Sequence, residues 1–306
     1  MVRKLKHIGL PNCYKLSNGT VEVIVTTEIG PRVVHYGFKG AGNILGLCPP
    51  GAKVKTELGI WKPIGGHRLW TAPEGIPRSY VPDSSPIDFD IEGNNEIRLI
   101  QPIEKSTGIR KEMTVKLAGK GTKVTLLHSI TNTGLWAIEV SPWALSIMDG
   151  GGSVIIPQEP YRSHDEYLLP ARPMVLWHYT DLSDPRFTIG KRYLRLRTDE
   201  SLAEPQKVGV ADKQGWAGYY RKGTLFVKQF GYEDGALYPD GGCNCETYTA
   251  ASFIELESVG PLCVLEPGES AEHVEIWHLF KDVDLGMTEE AMDAALCPII
   301  TKLPAL

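Results

Sequence analysis

The sequence lacks an uninterrupted apolar run of the ~18 residues that a membrane-spanning helix needs. Its N-terminal stretch, residues 1–16, carries basic side chains but no apolar segment behind them that would make a secretory signal. Basic residues are not in excess either, since 32 lysines and arginines stand against 37 aspartates and glutamates. A chain of net charge -5 has no basic field to neutralise phosphates. We therefore expect a cytoplasmic protein that binds neither nucleic acid nor membranes.

Cysteine is also scarce, with six residues in 306. This density excludes a disulfide-stapled scaffold and favours reduced thiols. The one close pair, Cys243 and Cys245, has no second pair of ligands nearby and is a poor zinc signature. The sequence contains no G-x-S-x-G, H-E-x-x-H, Walker or G-x-G-x-x-G motif. We predict no metal and no cofactor.

Alternating polar and apolar residues are abundant, and this period of two is typical of strands. Turn-forming glycine and proline are spread along the whole chain, without a linker or a repeat that would divide it. The pattern predicts an all-β protein with a single domain over residues 1–306, built as a sandwich of sheets that can carry a ligand groove. One helix is expected, from Thr288 to Cys297, with Pro298 ending it. The clearest strand candidates are 20–26, 96–100, 123–130, 193–197, 225–230 and 253–257.

The segment 65–74, GGHRLWTAPE, concentrates polar and aromatic groups between turns. A sugar site needs this mixture, because hydroxyls require donors and acceptors while the C–H face of a pyranose packs on a flat ring. We expect Arg68 and Glu74 to bind hydroxyls and Trp70 to stack on the sugar. In the alternative interpretation, Trp70 fills the core and Arg68 pairs with a surface carboxylate.

A second candidate region runs from Tyr238 to Tyr248 and continues into the strand 253–258. It contributes Asp240 and Glu246 as possible sugar ligands. In the strand, Glu255 and Glu257 share one face at a spacing of roughly 6.5–7 Å. Two like charges that close in a groove raise the pKa of at least one, which suits a general acid or base. A solvent-facing strand with two ordinary glutamates is the alternative.

Histidine is the remaining source of acid/base groups, with eight in the chain. His67 lies in the first candidate segment. His164, in the loop 161–167, is a second candidate for binding, although a histidine beside acidic residues is more often a surface hydrogen bonder. Most of the other six are expected to be structural.

Several of these segments together resemble one family. Besides 65–74 and 238–242, they include EIGPRVV at 28–34, GNIL at 42–45, ITNTG at 130–134, and FIELESVGPL at 253–262 followed by LEPGE at 265–269. The chain resembles a bacterial branch of the galactose mutarotase-like superfamily, which includes the aldose 1-epimerases. The resemblance covers nearly the whole chain and implies a β-supersandwich with a carbohydrate groove.

In the epimerases a glutamate takes the proton from the anomeric hydroxyl and a histidine protonates the ring oxygen. The resemblance makes Glu257 the nearest match for the base and Glu255 the second. The expected histidine segment is replaced by SPWA at 141–144. His67 is then the candidate acid, with Trp143 as a further stacking residue.

The resemblance leaves the reaction open, since one fold serves many activities. The main expectation is an aldose 1-epimerase-like enzyme that acts on a small-molecule carbohydrate. A polysaccharide lyase or glycoside hydrolase would need a carboxyl opposite the glutamate pair, which Glu74 or Glu246 could supply. A non-catalytic sugar-binding protein is the third possibility.

Overall fold

A computed structural model describes residues 2–48 and 51–304. Within them there are two large antiparallel sheets, one helix at the C-terminal end and two single-turn helical segments. The strands are β1 (Val2–His7), β2 (Leu10–Ser17), β3 (Val21–Thr26), β4 (Arg32–Phe38), β5 (Val54–Thr56), β6 (Gly59–Trp61), β7 (His67–Ala72), β8 (Asp88–Glu92), β9 (Glu96–Ile100), β10 (Ile109–Leu117), β11 (Val124–Asn132), β12 (Ile138–Met148), β13 (Ser153–Pro157), β14 (Met174–Leu176), β15 (Phe187–Ile189), β16 (Tyr193–Arg197), β17 (Gln206–Val210), β18 (Trp216–Arg221), β19 (Thr224–Phe230), β20 (Cys245–Ala250), β21 (Phe253–Val259), β22 (Cys263–Leu265) and β23 (Ser270–Phe280).

The first sheet has eleven strands in the order β1-β2-β3-β4-β7-β12-β21-β20-β17-β14, with β22 paired to β12. The second has ten, in the order β15-β16-β13-β18-β19-β23-β11-β10-β9-β8. β5 and β6 form a separate hairpin. The all-β sandwich and all six strand predictions are confirmed, with ends that shift by one or two residues.

The core lies between the two sheets, where one cluster of buried side chains draws on both. Every second residue of a strand enters it, as Val21, Val23 and Val25 of β3 do from one side and Leu126 of β11 from the other. The intervening residues of the first sheet point to its other face. That outer face carries the groove described below.

The helix α1 spans Glu289–Ile300. Thr288 caps it as expected, since its hydroxyl accepts a hydrogen bond from the Ala291 amide at 3.2 Å. The prediction that Pro298 ends the helix is wrong, because the helix continues through it for two more residues. A proline in the last turn removes only one backbone donor, and the Thr301 amide still reaches the Cys297 carbonyl at 3.0 Å. No helix among the described residues is long and apolar enough to span a bilayer.

Gly65 and Gly66 precede β7 and lie very close to the backbone of neighbouring segments. Both have positive φ, 94° and 71°. A Cβ on Gly65 would lie 2.5 Å from the Gly46 carbonyl oxygen, and one on Gly66 would collide with the Val33 carbonyl oxygen. Only glycine fits both the conformation and the space. The pair therefore sets the start of β7 and fixes which of its side chains face the groove.

Candidate functional site

The groove crosses the middle of the first sheet, over β7, β12, β21, β20 and β17. In β7, Arg68 and Trp70 face the groove, opposite Leu145 and Trp143 of β12. The cavity has a volume of about 540 Å³. Side chains from loops outside the sheet, including Glu74, complete its rim.

One side of the groove is an aromatic cluster of Trp61, Trp70 and Tyr80, here called the tryptophan wall. The three rings meet edge to face with centroids 4.9–5.5 Å apart. The Arg68 guanidinium lies 4.5 Å from the centre of the Trp70 ring and 5.5 Å from that of Trp61. The Tyr80 hydroxyl donates to Glu74. The Tyr80 hydroxyl is therefore occupied, whereas Trp61 Nε1, Arg68 Nε and Arg68 Nη1 have no hydrogen-bond partner among the described residues.

The opposite side consists of Trp177, Tyr179 and Tyr248, here called the tyrosine wall. The Tyr179 and Tyr248 rings meet at 6.4 Å, and Trp177 packs 4.6 Å from the ammonium of Lys207. The hydroxyls of Tyr179 and Tyr248 have no hydrogen-bond partner within residues 2–48 and 51–304. This wall can offer two hydroxyls to a ligand.

The floor between the walls carries Glu255, flanked by the aliphatic side chains of Leu145 and Ile147. A carboxylate oxygen of Glu255 lies 3.2 Å from Arg68 Nη2. Burial raises the pKa of Glu255 above its ordinary value, although Arg68 acts in the opposite direction. A carboxyl with a raised pKa can exchange a proton with a ligand.

Beside Glu255, a buried cluster joins Lys207 to Glu246 and Glu257. The Lys207 ammonium lies 2.7 Å from Glu246 Oε2 and 3.1 Å from Glu257 Oε2. The indole of Trp143 also donates to Glu257 Oε2, at 2.8 Å. Burial raises the pKa of Glu246, with Glu257 adding to the effect and Lys207 opposing it. Burial acts to lower the pKa of Lys207, but the two carboxylates outweigh it, so the amine stays protonated.

The two glutamates predicted on one face of β21 do share it, but their positions differ. Glu255 lines the cavity, whereas Glu257 is fully buried under Lys207 and Trp143. Its other oxygen, Oε1, has no hydrogen-bond partner in the part of the chain that the structure describes. Glu257, the predicted base, is thus placed to hold Lys207, and Glu255 is the glutamate that reaches the cavity.

His67 faces away from the groove, which corrects the expectation that it lies there beside Arg68. Neighbouring residues of a strand point to opposite faces, so Arg68 in the groove puts His67 between the sheets. Its ring nitrogens contact Ser146 Oγ at 2.8 Å and His128 Nε2 at 2.7 Å. Burial holds the pKa of His67 well below its ordinary value, and the imidazole is neutral.

His67, His128 and Glu275 form a polar network between the sheets. Their candidate ligand atoms all lie within 4.8 Å of one another, close enough to consider a metal ion. However, Glu275 already receives the Lys228 ammonium at 2.8 Å and the Trp277 indole at 2.7 Å. Hydrogen bonds therefore account for the arrangement without a cation.

The remaining predicted ligands are divided between the groove and other surfaces. Glu74 lines the cavity, and Trp143 packs at its floor. Asp240 lies near the Lys207 cluster, where burial raises its pKa. The structure corrects the expectation that His164 binds the sugar. Its side chain is 89% exposed and contacts Asp165 at 3.4 Å on the surface, apart from the residues that line the groove.

Sequence reasoning missed Lys207 and both loop aromatics of the tyrosine wall. Lys207 lies in QKVGV, where a charged residue interrupts an apolar strand, and that interruption was an available signal. Tyr248 alternates with Glu246 on β20, so the period of two also predicts that they share a face. Trp177 and Tyr179 lie beyond β14, in a region whose sequence has no comparable pattern.

No protein-family model and no curated protein matches the sequence. Solved structures do match. A galactose mutarotase-like protein from Lactobacillus casei superposes with a TM-score of 0.57 at 9% identity, covering 88% of this chain and 100% of the other. A candidate aldose 1-epimerase from Klebsiella pneumoniae gives 0.60 at 11% identity, with 97% and 86% covered. The chain therefore has the galactose mutarotase-like fold.

Proposed function

We propose that this protein is carbohydrate-active, and that its groove binds a sugar for aldose 1-epimerase-type acid/base chemistry. The observation that carries the proposal is the pair of aromatic walls facing each other across a floor with a carboxyl and an ammonium group. Aromatic rings suit the apolar faces of a sugar, while Glu255, Lys207 and the tyrosine hydroxyls suit its polar edges. The names of the fold relatives agree with this class of ligand.

Glu255 is the favoured base, in place of Glu257. It would take the proton of the anomeric hydroxyl as the bond between C1 and the ring oxygen breaks. The electron pair left on the anomeric oxygen forms the C1 carbonyl, and the pair of the broken bond goes to the ring oxygen. Rotation about C1–C2 and the reverse steps close the ring as the other anomer, so both protein groups return to their starting states.

Lys207 is the favoured acid for the ring oxygen. An ammonium has three N–H donors, and two are directed at Glu246 and Glu257. The third is free for a ligand in the cavity that Lys207 lines. Glu257 then acts as a positioning residue, since it holds the amine rather than the sugar.

The test is the interconversion of anomers, followed by polarimetry or exchange NMR over a panel of aldoses. We expect acceleration of at least one aldose. The variant Glu255→Gln should cut turnover by ~10² or more, with affinity within about tenfold. Glu272→Gln, an exposed glutamate of β23, is the matched control and should change neither. The proposal of catalysis is wrong if no aldose in the panel responds to the wild-type protein.

A sugar-binding protein without catalysis is the second candidate. The covering of Glu257 by Lys207 and Trp143 favours it, since the base position suggested by the family resemblance is closed. Under this hypothesis, Trp70→Ala weakens sugar binding and Glu255→Gln leaves it intact, while no variant or wild-type protein shows turnover.

A further inference from the structure

The tryptophan wall contains buried N–H groups that no acceptor of the protein satisfies. Trp61 Nε1, Arg68 Nε and Arg68 Nη1 have no hydrogen-bond partner anywhere in the described part of the chain. Both residues line the cavity, and Arg68 is only 4% exposed. A buried donor without an acceptor costs free energy, so unpaired donors beside a cavity indicate a ligand atom that completes them.

These unpaired atoms are all donors. A guanidinium has five N–H groups and an indole has one, and neither group has an acceptor. The hydrogen bond that Arg68 makes goes from Nη2 to a carboxylate oxygen of Glu255, at 3.2 Å. A sugar hydroxyl both donates and accepts, whereas a carboxylate only accepts. A carboxylate is therefore the closer complement to this part of the groove.

Arg32 lies behind the wall, next to Arg68 in the pairing of β4 with β7. Its guanidinium donates to Asp83 at 2.6 Å, so this pair carries no net charge, and its Nε and Nη1 are also buried without a partner among the residues that the structure describes. Burial raises the pKa of Glu255, so the protonated form of this carboxyl is more populated than it is in water. The charge of Arg68 is therefore only partly compensated within the protein, and one further negative charge can balance it.

The position of Glu255 indicates where on a sugar that charge lies. Under the proposed function Glu255 meets the anomeric hydroxyl on C1, and Arg68 is its direct neighbour. In a hexuronic acid the carboxylate is attached to C5, and C5 and C1 are both bonded to the ring oxygen. The carboxylate and the anomeric hydroxyl are thus neighbours on the sugar, as Arg68 and Glu255 are in the groove.

We propose that the sugar is a hexuronic acid, with its carboxylate held by Arg68 and by the indole N–H of Trp61. The planar fork of a guanidinium matches a carboxylate in two parallel hydrogen bonds. A phosphate fits less well, because it brings about two negative charges to a wall that has one guanidinium. The proposal rests on the proposed sugar site and adds the class of sugar.

The three donors are buried, so the carboxylate needs a path to them. Trp61 belongs to the β5–β6 hairpin, which is paired with neither large sheet, and its ring centre lies 5.5 Å from the Arg68 guanidinium. A hairpin outside the sheets can move without breaking their hydrogen bonds. A small outward shift of Trp61 gives a ligand oxygen access to the edge of the guanidinium.

The test compares the affinities of the wild-type protein for methyl β-D-glucuronide, its uncharged amide and methyl β-D-glucopyranoside, by calorimetry at neutral pH. The matching galacto series and the 6-phosphate of methyl glucoside are further probes. As methyl glycosides, all of them lack a free anomeric hydroxyl and measure binding only. We expect the uronide to bind at least ~10-fold more tightly than the amide and the neutral glycoside of the same series, in the gluco or the galacto series.

Two variants assign this advantage to the tryptophan wall. Arg68→Lys keeps the charge but loses the fork, so it should reduce the advantage of uronide over amide to less than ~3-fold. Trp61→Phe removes one N–H and keeps an aromatic ring, so it should reduce that advantage by about 3–10-fold. Arg197→Lys, at an exposed arginine of β16, is the matched control and should leave the advantage unchanged. Because the probes are compared on the wild-type protein, the comparison remains decisive if Arg68→Lys fails to fold.

The remaining outcomes separate this proposal from the proposed function. Equal affinity for uronide, amide and neutral glycoside overturns the acidic group and leaves the proposed sugar site standing. Tighter binding of the 6-phosphate than of the uronide overturns the carboxylate in favour of a phosphate. An advantage of the uronide that survives in both variants overturns its assignment to this wall. A uronide advantage without acceleration of any aldose or uronic acid supports this inference and contradicts the proposed catalysis. If no probe binds, both proposals are wrong.

Discussion

Two buried lysine–glutamate clusters lie on opposite faces of the first sheet. In the groove cluster, Lys207 contacts Glu246 and Glu257. In the interior cluster, between the sheets, Lys228 contacts Glu275 at 2.8 Å and the Leu256 carbonyl at 3.1 Å. The chemical groups are the same, yet their surroundings differ.

The interior cluster is closed. Glu275 accepts from Lys228 and Ser258 on one oxygen and from Trp277 on the other. The histidines continue the network as a chain with defined protons. His128 Nδ1 donates to a backbone carbonyl at 2.9 Å, so its other nitrogen accepts from His67. This network uses its hydrogen-bonding groups within the protein.

The groove cluster is open by comparison. Glu257 Oε1 has no hydrogen-bond partner among the described residues, whereas both carboxylate oxygens of Glu275 have one. Buried polar atoms are expensive to leave unpaired, so proteins retain them where a ligand completes them. Under the proposed function, the interior cluster serves the stability of the sandwich, whereas the groove cluster serves the binding of a ligand.

The largest effect is expected from Lys228→Met. Removing the amine leaves Glu275 charged and buried, which costs about 3–5 kcal/mol of the free energy of unfolding. Urea denaturation measures it. Lys116→Met, at an exposed pair with Glu96, is the control and should leave the free energy of unfolding almost unchanged. A similar small loss for both variants would contradict the assignment of the interior cluster to stability.

The pattern of the sequence predicted the strands and the sharing of a face by Glu255 and Glu257, since both follow from a period of two. It did not show which face of β7 turns outward, because His67 and Arg68 are both polar and both buried. Nor could it bring Lys207 to Glu257, 50 residues away. That contact depends on β20 lying between β17 and β21 in the sheet.

Acid is expected to act on the interior cluster through its histidines. The ring of His273 contacts the Ser258 hydroxyl of this cluster at 2.7 Å, and burial lowers its pKa to about 3, below its ordinary value of 6.5. The unfolded chain therefore binds more protons between these values, and stability present above pH 6.5 is lost as the pH falls toward 3. A plot of the free energy of unfolding against pH therefore has a positive slope in this range, and His273→Gln should reduce that slope by up to ~1.4 kcal/mol per pH unit. An unchanged slope in urea denaturations from pH 7 to 4 would show that His273 does not titrate in this way.

A rise in pH from about 4.5 to about 8 is expected to act on the groove cluster with the opposite sign. The pKa of Glu246 is raised chiefly by burial, so the folded state binds the extra proton. The stability this gives is complete below the ordinary pKa of 4.5 and is lost as the pH rises through the folded value. Glu246→Gln keeps a neutral side chain at every pH, so its free energy of unfolding should fall less than that of the wild type as the pH rises. Glu266→Gln, an exposed carboxyl, is the control. An equal loss of stability between pH 4.5 and 8 in wild type and Glu246→Gln would refute the raised pKa.

The smallest expected effect separates the two faces of β7 directly. Ser146→Ala removes a hydroxyl whose hydrogen bond, at 2.8 Å, goes to His67 in the interior. The variant should lose about 1 kcal/mol of stability, the usual value for one hydrogen bond, and its affinity for glycosides should stay within the error of calorimetry. Tyr248→Phe is its counterpart in the groove. Its hydroxyl has no partner within the described residues, so its loss should leave stability unchanged and weaken glycoside binding by about 2–10-fold. If Ser146→Ala weakened glycoside binding as much as Tyr248→Phe did, the interior network would be coupled to the groove, and the separation of a stabilising face from a binding face would not hold.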